Sequence, residues 1–246
     1  MDSSHYAIGV FDSHVARAGL TGKLSGKTVL ELGPGDSIAT AIIAAAQGAK
    51  SILVDTGAFS RTDIGLYLEL QKALVDKGLL PPDMSGCTTI QDILSICNVT
   101  YLTEGLTSLI QIESDSVDLV FSQAVLEHIR GEEFLETMKQ CHRILRPEGV
   151  CSHRVDLKDH LGGALNNLRF STHRWESEFF ASSGFYTNRI QYSQMLQLFS
   201  DAGFAVEVTD IRRWENLPTP RNKLAQEFRE IPDDELCISG FDVLLH

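Results

Sequence analysis

Glu31 and Asp55 are the first residues in the chain whose type and spacing suggest chemistry. Glu31 lies inside the apolar run Thr28-Val29-Leu30-Glu31-Leu32, two places before Gly33-Pro34-Gly35, and Asp55 ends the run Ser51-Ile52-Leu53-Val54. A carboxylate at the end of the first run repels a pyrophosphate but suits a ligand carrying an ammonium and a sulfonium charge. A second carboxylate at the end of the next run is spaced to accept hydrogen bonds from ribose hydroxyls. Further along, His128 follows the run Val117 to Leu126, and Asp156-Leu157-Lys158-Asp159-His160 places two carboxylates beside an imidazole. Histidine accepts a hydroxyl proton readily near neutral pH. Asp156, Asp159 and His160 are also conceivable ligands for a hard cation such as Mg²⁺. Their spacing is not that of a metal motif, and no metal is expected.

Such groups need elements to position them. The run 28–32 is rich in strand formers, Gly33 and Gly35 allow a tight turn, and Ile38 to Ala46 reads as a helix. Strand, glycine turn and helix form the first step of a nucleotide- or nucleoside-binding α/β sheet. The dinucleotide fingerprint G-x-G-x-x-G fails at its third glycine, where Ile38 stands. Two further stretches belong to the same kind of sheet: Ser116 to Ile129, with its Val125-Leu126-Glu127-His128-Ile129 ending, and Leu145-Arg146-Pro147-Glu148-Gly149-Val150, a turn into another strand.

These three motifs, in this order over residues 28–155, resemble the class I S-adenosylmethionine (SAM)-dependent methyltransferases of the small-molecule branch. The resemblance implies a doubly wound α/β fold with a seven-stranded, mostly parallel sheet and a C-terminal antiparallel strand pair. It implies SAM as cofactor, held by Glu31, Gly33, Gly35, Asp55, Glu104, Gly105, Leu106, Ser122 and Gln123. The family's usual Asp-Ala pair near the adenine is missing after residue 104. The leading segment often covers the site in this family, so His5 and Tyr6 are placed near it. His128, in the turn after the fourth strand, is the candidate general base, with His160 and Asp159 beyond the fifth strand as the alternatives. A histidine packing against the cofactor and aspartates capping the next segment are the structural readings of the same residues.

Composition bounds the remainder. With 246 residues and 43% hydrophobic content, one domain with insertions is expected over 1–246. The net charge of −12 disfavours a general attraction to nucleic acid. Cys87, Cys97, Cys141, Cys151 and Cys237 form no C-x-x-C pair and read as reduced thiols of a cytoplasmic protein. No apolar run approaches a membrane span, no signal peptide is visible, and a homodimer is possible. A short helix is expected over Phe11–Leu20 in an N-terminal cap (1–27), and further helices over 89–97, 132–145 and 192–202. Residues 157–191 are expected to form a helical substrate lid holding Tyr186. A second insertion over 209–236 carries Arg212, Arg213 and Arg221, with Arg213 and Arg221 placed on an anionic acceptor. The expected activity is methyl transfer to a small-molecule hydroxyl, on a sugar or glycan precursor. A lipid, quinone or other natural-product acceptor, or a silent SAM-binding member of the fold, are the alternatives.

Overall fold

The computed structural model describes residues 4–246. The strands are β1 (Thr28–Leu32), β2 (Lys50–Val54), β3 (Val99–Leu102), β4 (Val117–Gln123), β5 (Leu145–Asp156), β6 (Val206–Arg213) and β7 (Ile238–Leu245). They form one sheet in the order β3-β2-β1-β4-β5-β7-β6, with β6 and β7 antiparallel. β1 runs parallel to β2 and β4, and β2 parallel to β3. The chain therefore reverses its direction of strand addition between β3 and β4, which leaves the carboxyl ends of β1 and β4 side by side. Open α/β sheets bind ligands at such a switch point.

The helices are α1 (Ser4–Arg17), α2 (Ala39–Ala46), α3 (Ile64–Asp76), α4 (Ile90–Ile96), α5 (Leu106–Gln111), α6 (Gly131–Ile144), α7 (Thr172–Trp175), α8 (Glu178–Ala181), α9 (Tyr192–Asp201) and α10 (Asp233–Leu236). Side-chain oxygens at their starts account for two of them. Asp63 caps α3 by accepting from Gly65 N, and Thr89 forms a reciprocal box with Asp92 at the start of α4. α2 is apolar nearly all round and buried over Ala39–Ala44, as a helix packed on a sheet must be.

Three expectations are corrected. α1 begins at Ser4 rather than Phe11, because its buried stripe is Ala7, Ile8, Phe11, His14 and Val15, one helical face that includes a histidine. The segment 157–191 is less helical than expected. It holds only a 3₁₀ turn at Asn166–Arg169 and the four-residue helices α7 and α8, wound about the buried Trp175. β6 runs on to Arg213, so Arg212 and Arg213 sit on a strand paired with β7 rather than in a loop.

Packing divides the chain into two units. One holds the chain up to Gln123 with Gln140–Ser152 and His246, the other Ala124–Lys139 with His153–Leu245. Among the described residues no helix is long and apolar enough to cross a membrane. All five cysteines are free, and four of them are buried.

Candidate functional site

The cofactor candidates all lie in the first unit. Gly33 and Gly35 take φ of 65° and 63°, the left-handed region that glycine enters without strain. The turn is pinned to the next strand twice: Gly33 N donates to Val54 O at 2.8 Å, and Gly35 N to Asp55 Oδ2 at 2.9 Å. Asp55 Oδ1 accepts from Thr56 N at 2.7 Å. The Asp55 main chain is tied in turn to the end of β3, its N–H donating to Leu102 O and its carbonyl accepting from Gly105 N. Gly105 (φ 53°) is followed by α5, and Glu104 N donates to Ser108 Oγ at 3.0 Å. The carboxyl ends of β1, β2 and β3 are thus joined through one aspartate. A Cβ placed on Gly35 would meet nothing within 4 Å, so the backbone there is open to a ligand.

Glu31 is arranged differently from its sequence expectation. It is 3% exposed and accepts from Thr40 Oγ1 on α2. Burial, with the nearby Asp55 charge, raises its pKa to about 8. Its carboxyl links β1 to α2 through Thr40, and burial favours the protonated acid. Ser122 is fully buried, while Gln123 is half-buried at the end of β4. His5 lines a cleft of about 430 Å³ with Asp36, Ser37, Arg61 and Tyr67, next to the glycine turn, and Tyr6 is exposed.

The catalytic and acceptor candidates lie in the second unit. His128 ends a 3₁₀ turn, Leu126–His128. Its Nδ1–H donates to Tyr186 O at 2.9 Å. The turn itself is held by Asn188, whose Nδ2 donates to Leu126 O (2.8 Å) and Ile129 O (2.9 Å), and whose backbone N–H donates to Glu127 O at 2.7 Å. His128 keeps an exposed edge to solvent; desolvation of the rest of its ring lowers its pKa below the ordinary value, and His160 lowers it further. The two imidazole centroids are 4.9 Å apart. Glu127 is buried and pushed up to about 8, first by burial and then by the charge of Asp156. Its Oε1 accepts from Asp156 N at 3.3 Å.

The structure brings His128 and His160 together but gives Asp159 other work. Asp159 Oδ1 accepts from Leu161, Gly163 and Ala164 N, and Oδ2 from Asn166 N, closing its own loop. Tyr186 is buried, with its hydroxyl donating to Glu176 Oε2 at 2.9 Å and its pKa raised to about 12 by burial and that carboxylate. It reaches His128 through its carbonyl, not its ring. Arg213 Nη1 donates to Asp234 O at 2.6 Å. Arg221 donates to Arg229 O, Ile231 O and the Asp233 carboxylate. Both arginines staple their own segment, which leaves the expected acceptor contact without geometric support. Arg212 bridges Asp210 and the buried Asp242, which also takes a bidentate pair from Arg154. Among the described residues no group of His, Cys, Asp and Glu is arranged to hold a metal ion.

Four residues were not singled out by sequence: His14, Thr40, Asn188 and Ser152. His14, Ser152 and Asn188 act by hydrogen bonds to residues distant in the chain, and Thr40 by one to Glu31, nine residues before it. The one signal available was His14's place on the apolar stripe of α1.

The fit to SAM rests on the open backbone at Gly35 and the Asp55 carboxylate beside it. Asp55, the Gly33–Gly35 turn, Gly105 and Gln123 would hold the cofactor. Solved structures share this architecture. A sarcosine dimethylglycine methyltransferase assigned in Galdieria sulphuraria matches with a TM-score of 0.51 at 12% identity, over 97% of this chain and 84% of that one. The 1,6-didemethyltoxoflavin-N1-methyltransferase of Burkholderia thailandensis, solved with its substrate and S-adenosylhomocysteine, matches with a TM-score of 0.50 at 15% identity, over 97% and 76%. A SAM-dependent methyltransferase of Mesorhizobium loti matches with a TM-score of 0.50 at 14% identity, over 96% and 100%. No curated protein matches the sequence. The methyltransferase-domain family model matches residues 4–209. With most of the chain inside that match and the topology in agreement, the protein belongs to the methyltransferase-domain family and is a class I SAM-dependent methyltransferase.

Proposed function

We propose that the enzyme methylates a hydroxyl of a small-molecule acceptor, with a sugar or glycan precursor as the acceptor class. SAM, when bound, supplies an electrophilic methyl group on a positively charged sulfur. The chain's own task is to orient the hydroxyl and take its proton. The observation that carries this reading is the tautomer of His128. With Nδ1–H committed to the Tyr186 carbonyl, Nε2 keeps its lone pair, and it makes no hydrogen bond to any described residue. A pKa below the ordinary histidine value keeps the ring neutral at physiological pH. After accepting a proton at Nε2 the imidazolium still donates from Nδ1 to the same carbonyl, so the turn need not move. The polar neighbours of this ring, His160 and Asp156, support an oxygen acceptor over a lipid.

The test is an acceptor screen followed by His128→Ala. Turnover on a hydroxyl acceptor should fall about 10²–10⁴-fold, the usual range for a lost general base, while calorimetric affinity for S-adenosylhomocysteine stays unchanged. The wild-type rate should hold through neutral pH and drop on the acid side as His128 protonates, below its ordinary pKa of about 6.5. Wild-type turnover in His128→Ala, or methylation of nitrogen alone across the screen, would overturn the reading.

A further inference from the structure

We infer that His14, on the N-terminal helix α1, is a positioning residue that sets the orientation of the Gln123 amide for the amino-acid end of the cofactor. His14 is fully buried, and its two ring nitrogens are both engaged across the fold of the first unit. Nε2 lies 3.1 Å from Gln123 Oε1, and Nδ1 lies 2.9 Å from Ser152 Oγ. An amide oxygen only accepts, so Nε2 carries a proton and donates it. In the neutral ring Nδ1 is then the acceptor for the Ser152 hydroxyl. Phe121 packs against the imidazole with centroids 5.1 Å apart, and Phe11 meets Phe121 edge-on at 5.9 Å, which keeps the ring from turning.

This arrangement decides which end of Gln123 faces outward. With Oε1 held by His14, the NH₂ group is the free end, and it has no partner among the described residues. Gln123 is half-buried at the carboxyl end of β4, two residues past the Glu31–Phe121 register pair, as Gly33 is on the adjacent β1. An amide donor beside the glycine turn is suited to a carboxylate, the group at the amino-acid end of SAM and of S-adenosylhomocysteine. Without His14 the amide is free to turn its oxygen outward and repel that carboxylate. The inference rests on the cofactor identity above and on Gln123 being one of its contacts; it adds the residue that orients that contact.

The experiment measures S-adenosylhomocysteine binding by calorimetry in wild type, His14→Phe, His14→Gln, Gln123→Ala and the His14→Phe/Gln123→Ala double variant. Both His14→Phe and Gln123→Ala should weaken binding about 10–150-fold, the range for one hydrogen bond to a charged group. The double variant should bind no more weakly than Gln123→Ala alone, because His14 acts through that side chain. His14→Gln, whose amide can still donate, should recover most of the affinity. Additive losses in the double variant, or wild-type binding in His14→Phe, overturn the proposal. Where His14→Phe fails to fold, side-chain amide NMR of the wild type decides. The Gln123 NH₂ signals, identified by their loss in Gln123→Ala, should shift on adding S-adenosylhomocysteine; no shift overturns the proposal. Absence of any wild-type binding would instead refute the cofactor reading itself.

Discussion

In the unit that carries the glycine turn, candidate groups are held by sheet neighbours. Asp55 takes the Gly35 N–H across one strand register, and its main chain joins the end of β3. In the other unit, the turn that carries His128 is held by residues some sixty places away. Tyr186 supplies a carbonyl to the ring, and Asn188 supplies three hydrogen bonds to the backbone of the turn. The first arrangement follows directly from parallel strands ending at one edge. The second depends on a loop wrapped on its own aromatic cluster of Trp175, Phe170, Phe180, Phe185 and Tyr186. A cofactor common to a family suits the first kind of construction. The second is free to vary with its loop.

The sharpest way to break this division is Asn188→Ala. Two carbonyls, at Leu126 and Ile129, lose their side-chain donor. At about 1–3 kcal/mol per unsatisfied group, the expected cost for the two is roughly 2–6 kcal/mol. Turnover should fall with it, while S-adenosylhomocysteine affinity in the folded fraction stays constant. A selective loss of cofactor binding would dissolve the distinction between the units.

Asp55→Ala is the converse test. Cofactor binding should weaken by about 1–3 kcal/mol, and the Gly35 N–H loses its acceptor. Calorimetry showing equal affinity in wild type and variant would remove Asp55 from the site.

The two units also hold one buried acid each, and both predict the same sign of pH dependence. Glu31 and Glu127 are raised from 4.5 to about 8, each chiefly by burial. Between those values the native state keeps a proton that the unfolded chain releases, so stability falls as pH rises through that window. Glu31→Gln and Glu127→Gln, which stay neutral, should each flatten the decline, with a gain on the order of several °C in melting temperature at the alkaline end. Thermal melts at both ends of the window measure this. An unchanged slope in either variant would show that its carboxyl is ionised in the fold.

The smallest effect is expected at Arg221. Its partners are Arg229, Ile231 and Asp233, all in its own segment. Arg221→Ala should cost about 0.5–1.5 kcal/mol of stability and leave the acceptor KM unchanged. A raised KM at constant melting temperature would restore the arginine to the acceptor.

Much of the first unit was legible in the chain. Val29, Leu30 and Leu32 with the two glycines mark β1 and its turn, and Thr89 marks a helix start, because strand ends and caps are written in adjacent residues. α1 was misplaced because His14 reads as polar in a list but is buried on the helix's apolar face. The arginines of the 209–236 region read as a basic cluster. Which carboxylate or carbonyl each one meets depends on β6 continuing to Arg213 and on the path of 221–233.

The sequence by itself determined the fold class, the glycine turn and the family, since each rests on short-range patterns of residue type. Only the tertiary structure decided that Glu31 turns inward to Thr40, that Asp159 closes its own loop, and that His128 is aligned by Tyr186 and Asn188. The reason is physical. A polar side chain takes the partner that burial leaves within reach, and that partner is chosen by how distant segments pack.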